Sequence, residues 1–123
     1  MELLSYNLQD LPITIANCRR KALEIDSEIN VQHALRQEIL ADVELTIAAD
    51  ATLSNDTKRK AAKQLAIGSH QQYLAIENNL RVLQILRAEK EIELEFYRNE
   101  MKVAIALRYG SELNFISGEL ATA

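Results

Sequence analysis

The sequence predicts an all-α fold: a long antiparallel helical hairpin, coiled-coil-like in its packing, completed to a four-helix bundle when two copies dimerise. Three observations carry that expectation. Of the 123 residues 48% are hydrophobic and 26% charged but only 5% aromatic, with one Pro and three Gly. This is the mixture found in long helices rather than in sandwiches or barrels. Next, apolar side chains return every three or four positions through Ile15, Cys18, Ala22, Ile25 and Ile29, and again at Ile39 and Val43 beyond Gln32 and Arg36. Last, residues 57–109 contain no Pro and a single Gly, Gly68. A helix of that length would run roughly 80 Å, far beyond the ~30 Å of a small domain, so it needs a second long helix beside it.

Taken in order, residues 1–11 form an N-terminal arm with Leu3, Leu4, Tyr6 and Leu8 but no clear period. Helix 1 is expected over 12–49, because Asp10 can cap free N–H groups and Pro12 is tolerated in a first turn. Its stripe is flanked by Leu35, Leu40 and Ile47. A short connection from Asp50 through Leu53 leads to Ser54 or Asn55 as the next cap, with the negative charge of Asp56 at the positive end of helix 2. So short a link makes the two helices antiparallel neighbours. Helix 2 is expected over 55–109, with Gly68-Ser69 and Asn78-Asn79 as the places where it would bend. A break there would allow a compact monomer of three or four helices. Gly110 suits the left-handed residue that closes a helix, leaving 110–123 as a tail with Leu113, Phe115, Ile116 and Leu120.

The faces of helix 2 differ. Glu77, Gln84, Glu91 and Arg98, with Arg81, Ala88, Glu95 and Lys102 alongside, make a solvated ridge. Leu80, Leu83, Leu94, Tyr97 and Met101 form one apolar row, and Val82, Ile85, Ile92, Phe96 and Val103 a second. Together they are wider than a two-stranded seam, so one neighbouring helix would not cover them. Glu89, Lys90 and Glu93 interrupt the apolar surface midway, where a polar layer can fix register at some cost in stability. Paired from the turn outward, helix 2 would run out of partner near Glu93 to Glu95. The overhang carries Phe96, Tyr97, Met101, Val103, Ile105 and Leu107, and burying such side chains is worth roughly 1.5–3 kcal/mol each. Either residues 1–11 and the tail fold back over this end, or a second copy covers it in a four-helix arrangement, with these six residues as the interface; the breadth of the apolar surface favours the second copy.

Candidate chemistry is sparse. His33 and His70 are the only histidines. An antiparallel hairpin would set them roughly level, near Glu28 or Glu38, but no Glu-x-x-His pair of the di-iron bundle type occurs. Cys18 falls on the apolar stripe, where cysteine behaves as a small hydrophobe, and a catalytic thiol would need a histidine close by. Carboxylates at Glu89, Glu91, Glu93 and Glu95 spread round a helix rather than facing one another. No catalytic residue, cofactor or metal ligand is therefore assigned, and no small-molecule substrate.

Lys58, Arg59, Lys60 and Lys63 are the one dense basic cluster, in the first turns of helix 2, where free N–H groups could help receive a phosphate of nucleic acid. Arg19, Arg20 and Lys21 form a second group toward the other end, which an antiparallel dimer would bring near the first. Neither is interleaved with aromatic residues for base stacking. The net charge of −4 implies no global attraction to nucleic acid or to anionic lipid. The longest apolar run, 103–107, is far short of a membrane span, residues 1–10 lack the pattern of a secretory signal, and a single cysteine excludes an internal disulfide. A cytoplasmic protein is expected.

Residues 53–107 begin Leu-Ser-Asn-Asp-Thr-Lys-Arg-Lys-Ala-Ala and carry Phe96-Tyr97-Arg98 before an apolar finish. This segment resembles small uncharacterised bacterial and phage helical-hairpin proteins, in which an Asn at a helix start is followed by an Arg and an Ala-rich turn, matched here by Asn55, Arg59, Ala61 and Ala62. Some of those proteins are encoded among phage recombination genes. The resemblance implies an accessory role in DNA transactions and transfers no active-site residue. The sequence thus leads to a non-enzymatic, self-associating interaction or scaffold module, with a nucleic-acid accessory protein as the alternative.

Overall fold

A computed structural model of the chain describes the backbone of residues 10–122 and the side chains of residues 10–108. Within that range three helices follow one another: α1 (Asp10–Ala49), α2 (Asp56–Gly68) and α3 (Gln71–Thr122). No strand occurs among the described residues. Of the expected N-terminal arm, Asp10 and Leu11 belong to α1, and the remainder lies outside the described residues.

The three-four spacing in α1 marks its inner row. Ile15, Ile25, Ile29, Val43 and Ile47 are half-buried, while Leu11, Cys18, Ala22 and Ile39 are buried. In α3 the matching row runs through Tyr73, Ile76, Leu80, Leu83, Arg87, Lys90, Leu94, Tyr97 and Met101, none of them exposed. Alternation of three and four keeps such a row on one side of a helix against a helical neighbour.

The link between α1 and α2 is built by local hydrogen bonds. Thr52 donates to Asp50 Oδ1 from its backbone N–H at 2.9 Å and from its hydroxyl at 2.6 Å, and the Leu53 N–H donates to the Asp50 carbonyl at 3.2 Å. The Thr52 bonds hold the Asp50 carboxyl below its ordinary range. Asn55 caps α2, its side-chain oxygen accepting from the Lys58 N–H at 2.9 Å, which serves one of the N–H groups a helix start leaves free.

The long second helix is interrupted where Gly68-Ser69 predicts a weak point, so α2 and α3 replace the single helix expected over 55–109. The Ser69 hydroxyl donates to the Leu65 carbonyl at 2.8 Å, competing for the α-helical acceptor. His70 then starts α3, its Nδ1 accepting from the Tyr73 N–H at 3.1 Å. Asn78-Asn79, the other candidate bend, lies inside continuous helix. The expectation that Gly110 closes the helix is not met, for α3 continues to Thr122. A glycine inside a helix costs about 1 kcal/mol against alanine, which helix formers on either side can outweigh.

The chain divides into two compact units. The first comprises Glu24–Arg87. Its core is Ile39, Tyr73, Ile76 and Leu80, with Ile29, Leu40, Val43 and Ile67 packed against it. Antiparallel register of α1 and α3 is marked by Arg36 with Glu77 at 3.2 Å, Asp26 with Arg87 at 2.7 Å, and Asn79 with Gln32 at 3.4 Å. Such partly exposed ion pairs contribute ~0–1 kcal/mol each, whereas each large apolar side chain buried contributes roughly 1.5–3 kcal/mol. Apolar packing therefore holds the unit, and the polar pairs choose among registers.

The second unit comprises Met1–Leu23 with Ala88–Ala123. Leu11, Cys18, Ala22 and Leu94 are buried, as is Glu100. Cys18 and Ala22 are small, which lets helix axes approach within the 8–10 Å range of packed helices. Cys18 meets the Lys90 carbonyl and the Glu93 carboxylate across this unit, and α1 continues two turns further to Asp10. The sequence expectation that the partner ends near Glu93 to Glu95 is thereby corrected: Leu94 and Glu100 are both buried.

Candidate functional site

Three places hold the residues that sequence reasoning singles out. The first is the start of α2. Arg59 is spent locally, its Nε donating to the Leu53 carbonyl at 3.2 Å and its guanidinium pairing with Asp56 at 3.2 Å. Lys63 pairs with Glu44 of α1 at 2.6 Å. Lys58 and Lys60 are exposed. A cleft of about 390 Å³ lies between the end of α1 and α2, lined by Glu44, Ile47, Ala48, Arg59, Lys60 and Lys63. Two of its three cations are thus already partnered by carboxylates, which lowers the attraction the cluster exerts on a phosphate.

The histidines are not brought level. Because α1 sets Gln32 beside Asn79 and Arg36 beside Glu77, His33 lies near the level of Leu80, about three turns along α3 from His70. The interruption at Ser69-His70 shifts the pairing relative to an unbroken hairpin. Among the described residues no group of three or more His, Cys, Asp or Glu is placed to hold a metal ion.

A second polar place joins residues the sequence treats separately. The Cys18 thiol donates to Glu93 Oε2 at 3.6 Å and to the Lys90 carbonyl at 3.7 Å, while Lys90 Nζ pairs with Glu93 Oε2 at 2.9 Å. Burial first, and then the Glu93 hydrogen bond, push the Cys18 thiol up from its ordinary range. Lys90 draws the Glu93 carboxyl down, and Glu93 in turn raises the Lys90 ammonium. A thiol held protonated in this way is a poor nucleophile, and its two contacts tie α1 to α3 within this unit. Helical spacing puts Lys90 and Glu93 on one row, but only the interhelical register reveals that Cys18 faces them. Glu100, buried with its Oε2 unpartnered, is also absent from the sequence expectations. Its three-residue step from Tyr97 and four-residue step to Ala104 are the signal that places it on the inner side.

The third place is the apolar surface of α3 in the unit that contains Ala88–Ala123. Of the six expected interface residues, Tyr97 and Met101 are half-buried on the inner row. Phe96 is 45% exposed, Val103 44%, Ile105 49% and Leu107 60%, and Ile92 one turn earlier is 68% exposed. The Phe96 and Tyr97 rings meet edge to face, centroids 5.6 Å apart, so the aromatic pair spans the boundary between the inner row and the exposed surface. Outward of that boundary, Ile92, Phe96, Asn99 and Val103 follow one another at steps of four, three and four, a second helical seam. No helix of the described residues is long and apolar enough to cross a membrane. Compared with protein-family models, with curated proteins and with solved structures, the chain finds no match.

Proposed function

We propose that this chain is a non-enzymatic helical interaction module of the cytoplasm that associates with itself, two copies of the α1/α3 pair making a coiled-coil-like four-helix bundle. The observation that carries the proposal is the outer seam of α3. Ile92, Phe96 and Val103 expose between 44% and 68% of their surface at helical spacing on one face, and large apolar side chains grouped outward on one face, with only Asn99 between them, suit an interaction surface. A helix with apolar rows on two sides is suited to two neighbours at once.

Gel filtration with light scattering over a wide concentration range tests this. The expected result is the mass of a dimer that dissociates on dilution, and of a monomer for Phe96→Glu. A wild-type chain that stays monomeric at every concentration overturns the proposal.

A second reading, contact with nucleic-acid phosphates through Lys58, Arg59, Lys60 and Lys63, is supported by the exposure of Lys58 and Lys60 at a helix start. The pairing of Arg59 and Lys63 with carboxylates weighs against it. Titration of binding to single- and double-stranded DNA against salt decides. Absence of binding at low salt removes this reading.

A further inference from the structure

Resting on the self-association reading, we infer that the second copy docks antiparallel on the outer seam of α3 in one register, with Ile92 level with Val103 of the copy, Phe96 level with Asn99 of the copy, and Glu95 beside Lys102 of the copy. Glu95 and Lys102 are exposed. Each precedes an outward apolar residue, Phe96 or Val103, so both stand on the same edge of the seam. Among the described residues neither pairs with a charge of its own chain.

Direction follows from those edges. When two helices pair antiparallel, each edge of a seam meets the same edge of the other copy; when they pair parallel, it meets the opposite edge. In the register inferred, the two-fold axis sets Glu95 against Lys102 of the copy and Lys102 against Glu95 of the copy, two complementary contacts from one pair of residues. Sliding the helices by one heptad opposes Glu95 to Glu95 of the copy in one direction and Lys102 to Lys102 in the other. Parallel, in-register pairing brings Glu95 toward Glu100 of the copy. Like charges penalise the two slid registers, while parallel pairing, with Glu100 buried in its own unit, gives neither Glu95 nor Lys102 an opposite charge. On the opposite edge the inferred register sets Glu93 toward Glu100 of the copy, but Glu93 is held by Lys90 at 2.9 Å and Glu100 is buried in its own unit. The apolar contact covers only a few turns, which belongs with interfaces below about 1,200 Å², so charge decides the arrangement.

Sedimentation equilibrium at low salt tests the register with four chains: wild type, Glu95→Lys, Lys102→Glu, and the double exchange. Circular dichroism checks that each is folded, as both positions are exposed. Either single reversal is expected to weaken the dimer roughly tenfold, since two attractive contacts become repulsive, and the double exchange to restore it. Tighter association of Glu95→Lys, or a double exchange no stronger than the single reversals, overturns the register. If Phe96→Glu dissociates the dimer but neither charge reversal changes it, the register is wrong while self-association stands. A monomeric wild type defeats both readings.

Discussion

The imidazole Nδ1 of His70 accepts the backbone N–H of Tyr73 at 3.1 Å and so restarts the helix that Ser69 interrupts. Tyr73 is itself part of the apolar core with Ile39, Ile76 and Leu80, so the cap lies next to the packing that anchors α3. His70→Ala leaves a first-turn N–H without its acceptor and is expected to cost about 1 kcal/mol, the usual price of a lost cap. His70→Asn should recover most of it. Urea denaturation of the three chains checks this, and an alanine variant as stable as wild type would show that the cap contributes nothing.

Gly68 ends α2 with no positive φ, and a Cβ built there meets nothing within 4 Å. Neither strain nor close approach requires glycine at this position. Gly68→Ala is therefore expected to stabilise by about 0.4–1 kcal/mol, through helix propensity and a less flexible unfolded chain. The interruption should persist in the variant, because the Ser69 hydroxyl and the His70 ring make it. Thermal melting gives the first quantity. A loss of stability would mean that the glycine serves a conformation other than the one seen.

How far such features are legible in sequence depends on whether they are local. A cap at Ser54 or Asn55, a weak point at Gly68-Ser69 or Asn78-Asn79 and the inner row from Ile15 to Val43 follow from side-chain chemistry and spacing over a few residues; the structure uses Asn55 and Gly68-Ser69 and turns that row inward. The two apolar rows of α3 separate as the periodicity predicts, with Leu80 and Leu94 buried and Ile92 and Phe96 exposed. What spacing could not supply was the register between helices. The interruption at Ser69-His70 shifts that register, so His33 misses His70 and Cys18 meets Lys90 and Glu93 instead. Continuation of α3 past Gly110 was missed for a different reason, because glycine marks a helix end only where the flanking residues also favour stopping.

Arg36 occupies a place on the inner row of α1 that apolar residues fill elsewhere. It reaches Glu77 at 3.2 Å and lies over the Tyr73 ring at 5.9 Å, yet its Nε is buried without a partner. The desolvation of that group offsets much of what the ion pair contributes. Arg36→Met, which keeps the stem and drops the charge, is expected to be neutral or to stabilise by up to about 1 kcal/mol. Glu77→Ala strands the guanidinium and should destabilise by about 0.5–1 kcal/mol, a modest figure because the pair is about one-third exposed. Chemical denaturation of both variants separates the two effects. A large loss in Arg36→Met would show that the cation–ring contact outweighs the desolvation.

Cys18 gives a pH dependence whose sign can be worked out. Its thiol is raised above the ordinary range by burial and by Glu93, so the folded chain holds that proton more tightly than the unfolded chain does. Below about pH 8.5, the ordinary thiol value, both states are protonated and the full contribution is present. Above it the unfolded thiol ionises first, and stability declines until the pH passes the raised folded value. Unfolding free energy measured from pH 7 to 9.5 should therefore fall more steeply in wild type than in Cys18→Ala. The alanine variant is less stable at neutral pH by roughly 1 kcal/mol, because a small buried group and a weak hydrogen bond are lost. Native Cys18, only 6% exposed, should also react with a maleimide far more slowly than the urea-unfolded chain does, since attack requires an accessible thiolate. Equal labelling rates in the two states would show that the thiol is neither buried nor held protonated.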